Sequence, residues 1–238
     1  MTIWDDQVQR FSPTHRVIRY DSRGFGQSTG HADITADPDD LRILLDSLGI
    51  RSAHVVGLSR GARVALNFAV AFPSRVEALV LYGLSPPEGF QPLPPGPGPV
   101  AIFAEVAKKH GLDSLGKVVW ASPLVWLPAD AKVQTEFKRR FDASWAKYKG
   151  RDLLDPRPPS GRVRLARVDQ LDGIRAPTLV IHGDHEMPLF QVVADTVVRR
   201  IPNARKVVVP NAGHGAHFYD PKRFNSALVE FFRSVDRP

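Results

Sequence analysis

Three short stretches carry side chains that can act together chemically. Gly57-Leu58-Ser59-Arg60-Gly61 sets a serine between two glycines. That spacing suits a tight strand-to-helix turn holding a hydroxyl in a strained backbone conformation. A serine hydroxyl needs a base beside it to become a nucleophile. Of eight histidines, His214 stands out, because in Asn211-Ala212-Gly213-His214-Gly215 small residues on both sides let its ring reach across a sheet. His217 is the fallback, and His54, inside an apolar run, is expected to pack or bond locally. The base in turn needs an orienting carboxylate, and His182-Gly183-Asp184-His185-Glu186-Met187-Pro188 offers two. Glu186 lies further into the loop and has the longer arm, so it is preferred. Asp184 stays open as the alternative acid, and the unused one is expected to cap the following helix. The same residues admit a competing chemistry. His182, Asp184, His185, His214 and His217 show spacings that can bind zinc. Against it, His182 ends a buried strand and no H-E-x-x-H pair exists, so no metal site is assigned.

Stepping outward, short apolar runs alternate with helical patterns. The runs Val17–Tyr20, His54–Val56, Leu79–Tyr82, Leu179–Ile181 and Lys206–Val209 read as strands buried on both faces, as in a parallel sheet. Between the first two, Asp37 is expected to cap a helix with Pro38 in its first turn, a Leu41, Leu44, Leu45 and Leu48 stripe, and Gly49 as its stop. Further helices are expected over Arg60–Phe72 and Leu189–Arg200, and a last one from Asp220-Pro221 with Phe224, Leu228, Phe231 and Phe232 turned inward. The alternation predicts an α/β fold, a mostly parallel sheet flanked by helices. The interval 86–169 breaks the rhythm. It opens on prolines and glycines, continues as helical segments near Val100–Val119 and Ala129–Tyr148, and closes on a basic proline-rich stretch. It reads as a helical cap inserted into a core made of 1–85 and 170–238. Its Phe103, Trp120, Trp126, Phe141 and Trp145 can line an apolar substrate pocket, although packing between cap and core accounts for them more simply.

Composition narrows the function classes. The absence of cysteine removes disulfides, thiolate catalysis and cysteine-ligated metals. No apolar run approaches the ~20 residues that span a bilayer, and the first residues lack the basic and apolar segments of a signal peptide. A cytoplasmic protein without membrane contact is expected. A net charge of +7 permits an anionic partner. The densest basic group, Arg157, Arg162, Arg164 and Arg167, lies among prolines without interleaved aromatics, so nucleic-acid binding is not expected. The oligomeric state is left open.

Together these positions resemble the α/β-hydrolase superfamily. Asp21-Ser22-Arg23-Gly24-Phe25-Gly26-Gln27-Ser28 is similar to its D-x-R-G-x-G-x-S turn, Gly57–Gly61 to its nucleophile elbow, Gly183–Glu186 to its acid loop and Gly213-His214 to its terminal G-H. The segment Arg175–Phe190 especially resembles bacterial lactonases, aminoacrylate hydrolases and C–C hydrolases. The resemblance implies a cofactor-free enzyme acting on a small-molecule ester, lactone or related carbonyl compound. It implies Ser59 as nucleophile, His214 as base, Glu186 as acid, and the backbone N–H of Arg60 as one oxyanion donor. The Arg60 side chain can point either into the core or toward an anionic substrate. A serine rather than an aspartate disfavours epoxide hydrolase or haloalkane dehalogenase chemistry. One departure stands out. Family members begin with three strands, the third followed by a His-Gly loop that supplies the second oxyanion donor. Here Trp4–Val8 resembles the helix after that loop. The family's third strand lies between those containing Val17–Tyr20 and His54–Val56, so a gap at the sheet centre is expected, with no residue to name for the second donor. A weakly active or non-catalytic ligand-binding remnant is the alternative reading.

Overall fold

The computed structural model describes residues 2–93, 96, 98–122, 124–125, 130–155 and 158–236; Trp126 and Arg157 lie outside them. Four parallel strands, β1 (Ala53–Leu58), β2 (Val76–Tyr82), β3 (Thr178–Gly183) and β4 (Ala204–Val209), pair in the order β1-β2-β3-β4. The helices are α1 (Asp5–Phe11), α2 (Asp37–Ser47), α3 (Arg60–Ala71), α4 (Pro99–Trp120), α5 (Ala131–Trp145), α6 (Arg151–Leu154), α7 (Pro188–Arg200), α8 (Ala216–Tyr219) and α9 (Pro221–Val235). Strand alternation divides the core. Leu79, Leu81 and Val180 face α2, α3 and α7, where Leu41, Leu45, Leu66, Phe68 and Val193 are buried. Ala78, Val80, Leu179 and Ile181 face α1 and α9, against Phe11, Phe224, Leu228 and Phe231. Helices on both sides of a parallel sheet are what the continuous apolar runs predict.

The N-terminal third departs from expectation in two places. Val17–Tyr20 forms no strand. A strand is held by backbone partners. Among the described residues β1 has a strand neighbour on one side only, so nothing lies between it and this segment to pair with either. Val17 and Ile18 stand 38% and 39% exposed, while Tyr20 still packs on the core. Asp37 does not cap α2. The cap position is Ala36, and Asp37 sits one residue inside, fully buried, with its carboxylate turned toward another helix.

The interval 86–169 is fastened at its two ends. Glu88 N–H donates to Ala166 O (3.0 Å) and Val168 N–H to Glu88 O (2.9 Å). From α3, Arg63 Nη1 donates to Pro86 O (2.5 Å) and Asn67 Oδ1 accepts from Ala166 N (2.9 Å). Asp33 accepts from Ser160 N (2.7 Å) and Gly161 N (3.1 Å). Within the interval α4 bends at Gly111, whose φ is 77°. Ala107, Leu115 and Leu153 form a small apolar cluster of their own with Phe103, Leu112 and Trp145. No helix among the described residues is long and apolar enough to cross a membrane.

Candidate active site

The site collects at the carboxyl ends of β1, β2 and β3, where open α/β sheets place their ligands. At the end of β1 the chain enters α3 through Ser59, whose φ of 53° is rare for any residue with a β-carbon. The turn is closed by glycine. A β-carbon on Gly57 would run into the Gly61 carbonyl. Ser59 N–H donates to Tyr82 O at 2.8 Å, which fixes the elbow to β2. The Arg60 N–H follows as the first of α3, with no partner among the described residues, at the end where a helix favours negative charge.

His214 reaches the same strand end from the other side. Its ring lies against Gly83, the residue after β2, where φ is 57° and a β-carbon would overlap the imidazole. Phe190 stacks on the ring at 5.3 Å, and Tyr82 Oη donates to His214 O at 2.6 Å. Of the two carboxylates, Glu186 is the one placed under the ring: its Oε2 lies 3.0 Å from His214 Nδ1, and its side chain is fully buried. Glu186 Oε1 accepts from Met187 N at 3.1 Å. Asp184 does not cap α7 as expected of an unused loop acid. It accepts instead from Ala212 N (3.1 Å), bracing the loop that carries His214, and these backbone bonds outweigh burial and hold its carboxyl below the usual range. Among the described residues the Ser59 hydroxyl has no hydrogen bond to the His214 ring. Such bonds often tighten only when substrate arrives.

The remaining candidates fall elsewhere. His217 is buried between Trp4, Tyr82, Phe218 and Phe224, and neither ring nitrogen has a partner among the described residues. Burial pushes its imidazole down to about 3. His182 Nδ1 donates to Gly183 O at 2.8 Å inside the core. Among the described residues no three histidine, aspartate or glutamate side chains are grouped to hold a metal ion. His54 bonds not locally but across the fold, to Asp236 Oδ1 at 2.9 Å, and stacks on Phe232. Phe103 joins the cluster within 86–169, Trp145 Nε1 donates to Leu112 O at 3.0 Å, and Trp120 and Phe141 pack at 5.1 Å.

The structure also places residues that the sequence alone left unassigned. The Arg60 side chain, 32% exposed, turns toward α2 rather than into the apolar core. Its Nη1 meets Asp37 Oδ2 at 2.6 Å, and its guanidinium lies 4.9 Å over the Phe25 ring. Burial raises the Asp37 carboxyl to about 6 against the pull of Arg60. The only sequence signal was a charge at the start of each of two amphipathic helices.

The alpha/beta hydrolase fold family model matches residues 2–221. The chain belongs to that family. It is 33% identical over 233 residues to the 2-hydroxy-6-oxononadienedioate/2-hydroxy-6-oxononatrienedioate hydrolase of Paraburkholderia phymatum, covering 91% of this chain and 76% of that one. A thermophilic esterase from Thermogutta terrifontis superposes with a TM-score of 0.76 at 25% identity, over 99% of this chain and 86% of the esterase. The enol-lactonase of Burkholderia xenovorans LB400 shares the fold with a TM-score of 0.77 at 23% identity, over 98% and 86% of the two chains. By this kinship the chain is a hydrolase.

Two stability predictions follow from the buried charges. An unfolded histidine takes a proton near pH ~6.5, whereas folded His217 does so only at about 3. Its folded pKa is depressed, so the native state loses stability as pH falls through that window, by at most about 1.4 kcal/mol per pH unit. His217→Phe is expected to keep turnover and to lose less stability than the native chain between pH 7 and 4.5 in urea unfolding. Asp37 has the opposite sign of shift for an acid. Its folded carboxyl holds its proton up to about pH 6 while the unfolded one loses it near 3.8. The native chain's stability advantage over Asp37→Asn should therefore fall as pH rises from 4 to 6 and level off above 7. An advantage that grows over that range would contradict the assignment.

Proposed function

We propose that this hydrolase cleaves a small ester, lactone or related carbonyl compound through an acyl-enzyme on Ser59. The carrying observation is the buried Glu186 carboxylate 3.0 Å from His214 Nδ1, on a ring held at the strand end where Ser59 emerges. In this reading Ser59 Oγ attacks the carbonyl carbon and passes its proton to His214 Nε2. The negative oxygen that forms accepts from the Arg60 N–H, whose donor is already aimed and unspent. His214 then gives the proton to the leaving alcohol. A water, deprotonated by the same ring, attacks the acyl group and frees Ser59. Glu186 keeps the proton on Nδ1, so Nε2 faces the serine, and its charge offsets the imidazolium that forms. The likeness to an esterase and to a carbonyl-compound hydrolase supports the bond class. The helices of 86–169, tied to α3 through Arg63 and Asn67, are read as a cap over the site, with Phe103, Trp120, Phe141 and Trp145 packing it together.

A second reading, ligand binding with little turnover, draws on β1 having a strand partner on one side only among the described residues. One kinetic series decides between them. With short-chain p-nitrophenyl esters, Ser59→Ala is expected to abolish turnover. Glu186→Gln should lower kcat by roughly 10³–10⁴, and Asp184→Asn by far less. The reverse ranking would move the acid role to Asp184. Turnover absent from the native chain would favour the second reading, and turnover indifferent to Ser59 would contradict the first.

A further inference from the structure

Beside α9 lies a groove of about 620 Å³, lined by residues of α1, β4 and α9. Arg10, Arg205, Lys222 and Arg233 line it, with Glu230 as its only acidic residue among the described ones. Glu230 is 81% exposed and lies 4.0 Å from Arg205. Arg10, Lys222 and Arg233 have no carboxylate partner among the described residues. The second cavity, about 340 Å³, is balanced by contrast. It sets Lys132 and Arg140 against Asp6 and Glu136, and Arg140 bonds to both acids. The floor of the first groove is built as well as charged. Asn225, 9% exposed, lines it, and its Oδ1 is taken by Gln7 Nε2 at 2.9 Å. That bond leaves the Asn225 NH₂ without a partner among the described residues.

The spacing selects the ligand. Lys222 and Arg233 stand eleven residues apart on one helix, roughly 16 Å at the usual rise. Cations spread over that length suit an anion with several charged groups better than a single small one. A concave surface lined by one sign of charge concentrates field and counter-ions, and guanidinium forks match phosphate oxygens in pairs. We propose that this groove binds an extended phosphate-bearing small molecule, carrying two or more phosphate groups, at a site separate from Ser59.

The test uses inorganic tripolyphosphate, with orthophosphate for comparison, titrated calorimetrically into the whole chain at roughly 0.15 M salt, where surface charges are screened beyond ~8 Å. Saturable one-to-one binding of tripolyphosphate is expected, at least about tenfold tighter than orthophosphate. The double variant Arg10→Gln/Arg233→Gln should weaken it by about tenfold or more, some 1.4 kcal/mol. Lys108→Gln/Lys117→Gln removes the same net charge from α4 and should leave the affinity unchanged, as should Ser59→Ala. Equal losses in both double variants would reduce the effect to bulk charge and overturn the proposal. So would orthophosphate binding as tightly, or no saturation with tripolyphosphate. Loss on Ser59→Ala alone would place the anion at the catalytic site instead.

Discussion

Ser59 sits at φ 53°, and most of the molecule's arrangement follows from holding it there. A residue with a β-carbon in such a conformation costs on the order of 1–3 kcal/mol and persists only where its surroundings over-determine it. The surroundings here are Gly57 against the Gly61 carbonyl, the Ser59 N–H on Tyr82 O, and α3 packed on β1 and β2. The turn leaves the Arg60 N–H without a partner among the described residues. It also aims α3 so that Arg63 and Asn67 meet both ends of the 86–169 interval. One backbone constraint thus sets the site and what is fastened beside it.

Charge is handled differently on the two sides of that turn. Among the described residues Glu186 is buried with no Lys or Arg paired to it, and its two oxygens are spent on His214 and on the Met187 N–H. Asp37 is buried against Arg60, one residue past Ser59. That ion pair engages the guanidinium, so in the free protein it is not a vacant anchor for an anionic substrate. Buried pairs of this kind add little stability over apolar packing, but breaking one is costly.

What the sequence disclosed was whatever the backbone chemistry demands locally. The elbow needs glycines at fixed offsets, the His214 loop needs small neighbours, and four of the five apolar runs became strands because each found its partner. Val17–Tyr20 is a similar run but has no strand neighbour among the described residues, and pairing is not written in a run of residues. Asp37 read as a helix cap because its local context suits one, and only the fold reveals that the position is buried and opposite Arg60. Glu186 and Asp184 could be ranked by reach alone. The difference between them, one under the ring and one bracing the Ala212 backbone, depends on where β4 returns beside β3. The groove over α9 left no trace in the chain beyond a net charge of +7, since its four cations come from three distant elements.

The central claim is that Ser59 is the nucleophile, and chemical trapping addresses it without knowledge of the substrate. Native protein is incubated with a fluorophosphonate, digested, and the adduct located by tandem mass spectrometry. The account expects one phosphonyl group per chain, on Ser59, with none acquired by Glu186→Gln at a comparable rate. An adduct on any other residue, or an enzyme that hydrolyses esters while Ser59 stays unmodified and accessible, would contradict it.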